Sequence, residues 1–166
     1  MKHLRVNGSD CPVAAAPQAR LLDVLRDQLG LTEVRFGCGA NACGACHVLL
    51  DGRSVPACDT PLWACEGHDI TTASAVPAVL REAFVAEQAA QCGYCSAGML
   101  VTATALLRTN PSPTDAQVRL ALDGHLCRCG AHNRIVRAVL RAAAQGLPPA
   151  MVPAAAPCGA PAGAPS

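Results

Sequence analysis

Cysteine is the residue type in this chain that most clearly offers chemistry. The 166-residue sequence contains 11 cysteines, and eight of them form two groups of four. Without a secretion signal, a cysteine-dense chain binds metal more often than it forms disulfides. The odd total and one crowded Cys-x-Cys pair also argue against a disulfide framework. The two groups are Cys38, Cys43, Cys46 and Cys58, and then Cys92, Cys95, Cys127 and Cys129.

The first group has the spacing of a plant-type 2Fe-2S site. Cys38-x4-Cys43-x2-Cys46 places three thiolates on one short loop, and Cys58 follows after 11 further residues. Glycines flank these cysteines, which suits a backbone that curls around sulfide and directs N–H groups at sulfur. This pattern predicts a cluster of two irons and two sulfides held by four thiolates.

The second group closes over a longer stretch of chain. Cys92-x2-Cys95 is followed 32 positions later by Cys127-x-Cys129. A single zinc site made of the two Cys-x2-Cys pairs would leave four cysteines without a role. Two separate zinc sites stay open as an alternative, whereas two 2Fe-2S clusters account for all eight cysteines.

Composition excludes several other functions. The net charge of +1 provides no electrostatic attraction for nucleic acid, and no apolar run is long enough to cross a bilayer. No secretion signal is evident, so we expect a cytoplasmic protein. We find no acid–base pair, phosphate-binding loop or Ser–His–Asp set, and assign no catalytic residue. The five histidines are interpreted as surface or loop residues.

Residues 1–74 are predicted to form a small sheet domain that carries the first group. Asn7-Gly8 is a hairpin turn signal after the alternating Leu4 and Val6. A helix face then runs to Leu29 and ends at Gly30. Strand segments follow the cysteine loop, joined by a second turn at Asp51-Gly52. This order of elements suggests a β-grasp fold. We expect a further thiol in this domain, Cys65, to pack in the core or a loop.

Residues 75–146 are predicted to form four short helices. Pro77 begins the first, the second runs over residues 96–108, and Thr114-x-x-Gln117 is a capping box that opens the third. Apolar spacing from Ile135 defines the fourth. Each cysteine pair of the second group directly precedes a helix, so two positive helix ends face one site. Residues 147–166, which include Cys158, are predicted to be a disordered tail without ligands.

Three cysteine motifs, in this order, resemble the small 2Fe-2S subunit of the molybdenum hydroxylases, the xanthine dehydrogenase and aldehyde oxidoreductase family. The resemblance covers residues 2–145. Asn41 stands where the family usually has a loop glycine, and His47 replaces a small or hydroxyl residue. The motifs are Phe36-Gly37-Cys38-Gly39 with Cys43-Gly44-Ala45-Cys46, Gln91-Cys92-Gly93-Tyr94-Cys95, and Gly124-His125-Leu126-Cys127-Arg128-Cys129.

This resemblance implies an α+β chain, in which a plant-type ferredoxin-like β-grasp domain precedes an all-α four-helix 2Fe-2S domain. The implied function is electron transfer within an oxidoreductase. Electrons leave molybdenum on a large molybdopterin subunit singly, pass through both clusters and reach FAD on a medium subunit or another acceptor such as a cytochrome. The resemblance also implies that Gln91 and Cys129 contact the molybdopterin. The alternative is a metal-stabilised regulatory or redox-sensing module.

Overall fold

The computed structural model describes residues 2–148. Its first part is a five-stranded sheet with the strand order β2-β1-β5-β3-β4. β1 and β5 run parallel, and the other neighbouring strands are antiparallel. The strands are β1 (Lys2–Val6), β2 (Ser9–Val13), β3 (His47–Leu50), β4 (Arg53–Pro56) and β5 (Asp69–Thr71).

Both predicted turns are confirmed. Asn7 (φ 51°) and Gly8 (φ 81°) join β1 to β2, and Asp51 (φ 47°) and Gly52 (φ 81°) join β3 to β4. Two consecutive residues with positive φ match the right-handed twist of the flanking strands. The turns therefore set the register of both hairpins, as their Asn-Gly and Asp-Gly dipeptides predict.

The helix predicted to end at Leu29 is only partly α-helical. Leu21–Asp23 (α1) is an α-helix, and Val24–Gln28 continues it as a π-helical turn. In that turn the Leu29 N–H donates to the Val24 carbonyl five residues earlier. The predicted face is nevertheless buried, and Gly30 follows the helix with φ +67°, as expected.

The second part of the described chain consists mainly of helices, and four segments occur where they were predicted. Thr114 forms the predicted capping box with Gln117 at the start of α4. The four helices contribute to one apolar cluster, separate from the cluster beneath the sheet. The helices are α2 (Ala78–Ala86), α3 (Ser96–Thr109), α4 (Asp115–Leu122) and α5 (His132–Gln145).

Helix α3 joins the two parts. Met99 faces the helical cluster, but Val101, Thr102 and Thr104 on the other side of the helix are also buried. The reason is that α3 lies against β3, where Val101 packs with Leu49. The predicted tail lies outside the described residues except for positions 147 and 148. None of the helices within residues 2–148 has the length and apolarity that a bilayer span requires.

Candidate iron–sulfur centres

The first cysteine group lies together at one end of the sheet. Cys46 and Cys58 are buried, while Cys38 is exposed on the loop before β3. The thiols contact one another in pairs, Cys38 with Cys43 and Cys46 with Cys58. The structure thus brings together a loop and the segment after β4, as the sequence pattern predicts.

Backbone amides in this loop point at sulfur. The N–H groups of Ala40 and Ala42 lie 3.4 and 3.2 Å from Cys38 Sγ, and the Asn41 N–H lies 3.4 Å from Cys58 Sγ. Asn41 adopts a left-handed backbone conformation, with φ 51°, and so it replaces the glycine that usually stands at this position of the loop. A Cβ on Gly37 would lie 2.6 Å from Cys43 Sγ, which explains why glycine is needed there. The backbone of this loop therefore surrounds the sulfur atoms closely and directs N–H groups at them.

The second group lies where the helices begin. Cys95 is the N-cap residue of α3, and Cys127 and Cys129 directly precede α5. The thiols again contact in pairs, Cys92 with Cys129 and Cys95 with Cys127. The Ala131 N–H lies 3.4 Å from Cys127 Sγ. The two positive helix ends thus lie beside four thiols, which favours a site of net negative charge.

The environment differs between thiols of one group. Backbone N–H groups of Ala40 and Ala42 lower the pKa of Cys38 to about 7, because they stabilise its thiolate. Burial raises the pKa of Cys46 and that of Cys95 to about 12. A thiolate at buried Cys46 or partly buried Cys95 needs a cationic partner, and a metal centre supplies one.

The donor geometry suits a two-iron cluster better than a single ion. Within residues 2–148, no three His, Cys, Asp or Glu side chains converge closely enough to hold one metal ion. The thiols instead meet two by two, and a 2Fe-2S cluster takes two thiolates on each iron. Four thiolates, directed amides and a glycine cradle together fit this cofactor at the first site. Four paired thiolates at two helix starts fit it at the second.

Two further predicted residues have clear positions. Gln91 is exposed next to Cys92 and lines a groove of about 690 Å³ together with Phe84 and Val85. Cys65 packs in the apolar cluster of the sheet, with its Sγ 3.7 Å from the Pro61 carbonyl oxygen. Burial raises the pKa of Cys65 to about 11. Its placement matches the predicted packing role.

The interpretation of every histidine as a surface or loop residue is wrong for His47, which belongs to β3, whereas His125 lies in a loop as predicted but is buried there. His47 lies half-buried on β3, and His125 is only 3% exposed. Their rings meet edge to face with centroids 4.7 Å apart. Burial lowers the pKa of both, that of His125 to about 4. Sequence reasoning missed them because only the contact between the two halves buries these rings.

Hydrogen bonds connect the two cysteine groups directly. The Leu126 N–H, next to Cys127, donates to the Cys43 carbonyl oxygen at 3.0 Å. The Tyr94 hydroxyl, between Cys92 and Cys95, donates to the Phe36 carbonyl oxygen. The two sites are therefore neighbours linked through a few covalent and hydrogen bonds, which suits the passage of single electrons.

The two adjoining groups of four thiols fit the class of iron–sulfur proteins. Family models agree: one for a 2Fe-2S iron–sulfur cluster binding domain matches residues 4–75, and one for a [2Fe-2S] binding domain matches residues 66–140. The chain belongs to the family of small 2Fe-2S subunits of the molybdenum hydroxylases.

Relatives with similarity over most of their length support this assignment. One of the nicotinate dehydrogenase subunits of Pseudomonas putida is 48% identical over 84% of this chain and 92% of its own. The α subunit of isoquinoline 1-oxidoreductase from Brevundimonas diminuta is 43% identical over 83% of this chain and 94% of its own.

Solved structures show the same fold. A chain of quinoline 2-oxidoreductase from Pseudomonas putida 86 matches with a TM-score of 0.82 at 34% identity, over 86% of this chain and 93% of that one. In the aldehyde oxidoreductase of Desulfovibrio desulfuricans, the TM-score is 0.82 at 41% identity over 87% of this chain, but this chain spans only 17% of that protein. The same unit therefore occurs both as a separate small chain and within a longer one.

Proposed function

We propose that this chain carries electrons from a molybdenum subunit to an outer acceptor through two 2Fe-2S clusters. A bound cluster of this type accepts and releases one electron at a time. The observation that carries the proposal is the pair of four-thiol sites bridged by the hydrogen bond from Leu126 N–H to the Cys43 carbonyl. The proposed ligands are Cys38, Cys43, Cys46 and Cys58 in the first site, and Cys92, Cys95, Cys127 and Cys129 in the second.

The proposal divides the chain into two cluster-binding domains. Residues 1–74 are the ferredoxin-type β-grasp domain, and residues 75–146 are the four-helix domain. Separate apolar clusters beneath the sheet and among α2 to α5 support this division. The thiolates that the two clusters require favour a cytoplasmic location, where glutathione and thioredoxin keep thiols reduced.

The second site faces the molybdenum partner in this proposal. Gln91 and Cys129 are the residues proposed to contact the molybdopterin of a large catalytic subunit. Support comes from the exposure of Gln91 on an open groove beside Cys92. The first site, with exposed Cys38, passes electrons outward to FAD on a further subunit or to a cytochrome.

We propose a nitrogen heterocycle as the substrate class of the assembled enzyme. The names of three relatives concern nicotinate, isoquinoline and quinoline. In this proposal the substrate site lies on the partner subunit, because the functional groups that stand out within residues 2–148 are the cysteine thiols of the two sites.

A cysteine variant tests the ligand assignment. Cys127→Ser removes one proposed ligand of the second site, and we expect loss of that cluster and of turnover with an external acceptor. Cys65→Ser is the matched control, since Cys65 is buried but not a proposed ligand. Iron analysis and EPR of the reduced variants measure the effect. Wild-type turnover and two intact EPR signals in Cys127→Ser would refute the assignment.

A further inference from the structure

A chain of four polar side chains crosses the contact between the sheet and the helices. His47 Nδ1 lies 2.7 Å from Ser54 Oγ, and Ser54 Oγ lies 2.6 Å from Thr102 Oγ1. Thr102 Oγ1 in turn lies 2.8 Å from His125 Nε2. His47 and Ser54 belong to β3 and β4, Thr102 to α3, and His125 to the loop before Cys127. This series of hydrogen bonds therefore connects the sheet part of the protein with the helical part.

Thr102 and His125 are shielded from water, and His47 and Ser54 are partly buried. Thr102 is 8% exposed and His125 is 3% exposed, so their polar atoms depend on one another for hydrogen bonds. A Cβ on Gly44 would lie only 2.3 Å from His125 Nδ1 and 2.6 Å from its Cγ, so the face of the imidazole ring lies directly against Gly44. Gly44 itself has φ +74° and lies between the proposed ligands Cys43 and Cys46. The imidazole is therefore seated against the first cysteine loop.

The hydrogen bonds form one continuous set. His125 Nδ1 is buried without a hydrogen-bond partner among the described residues, so Nε2 is the ring nitrogen that ties His125 to Thr102. Thr102 Oγ1 also lies 3.4 Å from His47 Nδ1, so the central hydroxyl contacts all three of the other groups.

The chain of hydrogen bonds ends beside a proposed ligand at each side. His47 follows Cys46 directly, and His125 lies two residues before Cys127. We propose that His125, Thr102, Ser54 and His47 are positioning residues that hold the two clusters at a fixed spacing. This inference rests on the proposed function, since it concerns the distance between the two proposed centres.

Thr102→Val tests this proposal, because it keeps the shape of the side chain and removes the central hydroxyl. Thr104→Val is the matched control: Thr104 is also buried on α3, but its hydroxyl donates to the Leu100 carbonyl of the same helix. The full chain is reconstituted with iron and sulfide. Hydrogen exchange at the Leu126 amide and the EPR spin coupling between the two reduced clusters are then measured.

We expect both variants to bind iron and sulfide like the wild type. In Thr102→Val, exchange at Leu126 is expected to accelerate about tenfold, the equivalent of one lost hydrogen bond, and the spin coupling to change. Thr104→Val and Thr102→Ser are expected to match the wild type, and Ser54→Ala to behave like Thr102→Val. Equal exchange and coupling in Thr102→Val and Thr104→Val would overturn the inference, whereas a wild type without two clusters would overturn the proposed function instead.

Discussion

Single residues in the first cysteine loop meet two demands at once. Gly44 needs a left-handed backbone, with φ +74°, and also leaves room for the His125 ring. Gly37 leaves the same kind of room for Cys43 Sγ. Asn41 meets only the backbone demand, and there a residue other than glycine is present with φ 51°. A position in this loop therefore tolerates a side chain where no other group lies close to the place that its Cβ would occupy.

Gly44→Ala tests the combined demand. The new Cβ would lie 2.3 Å from His125 Nδ1, so we expect displaced histidine, a lower melting temperature and reduced iron in the first site. Gly52→Ala is the control, since its φ is +81° but nothing lies within 4 Å of a Cβ. Backbone strain alone costs about 1–2 kcal/mol in such a position. Thermal unfolding and iron content compare the two, and equal losses would contradict a role for the His125 contact.

Among the helices, α3 must satisfy the largest number of structural constraints. It forms part of the helical core, lies against β3 and begins at the proposed ligand Cys95. Gly98 lies where the helix passes the cysteine loop, and a Cβ there would be 2.0 Å from the Gly44 carbonyl oxygen. The close approach of this helix therefore depends on one glycine whose φ is ordinary.

Gly98→Ala is expected to move α3 away from the first cysteine loop. Alanine favours a helix by about 1 kcal/mol over glycine, so an isolated helix would gain stability, whereas this protein is expected to lose it. Gly124→Ala serves as the control, because nothing lies within 4 Å of its Cβ. The melting temperature and the spin coupling between the clusters report the change. A more stable Gly98→Ala variant with unaltered coupling would contradict the described packing.

How far the elements could be predicted depended on whether their signals were local. The turns at Asn7-Gly8 and Asp51-Gly52 and the capping box at Thr114 are local and were predicted. β5 was not predicted, because three residues with one buried Ile70 carry too little pattern. The spacing of apolar residues does not distinguish the π-helical turn after Asp23 from an α-helix.

The same limit applies to the sites. Thiol spacing indicated both cysteine groups, because ligand geometry restricts where cysteines stand along the chain. The burial of His125 and Thr102 arises where the sheet meets α3, and no periodicity within either segment reports a contact between them. The link between the two centres therefore became visible only in three dimensions.

The protein as a whole combines two apolar cores that contain few bulky side chains with two proposed metal sites. The apolar clusters consist largely of aliphatic side chains and alanine, with Phe84 as the aromatic residue in the helical cluster. Buried Cys46 and partly buried Cys95, whose pKa values are raised to about 12, need a metal partner to carry a negative charge. We therefore expect bound clusters to contribute to the stability of each half.

The presence of two iron–sulfur centres is best tested by iron and sulfide analysis of the purified full-length chain, combined with EPR after reduction. Two 2Fe-2S clusters predict about four iron and about four sulfide per chain, together with two distinct signals from reduced centres. Zinc in place of iron would support the metal-stabilised module. A colourless chain that takes up no iron after anaerobic reconstitution would contradict both proposed centres and the electron-transfer function that depends on them.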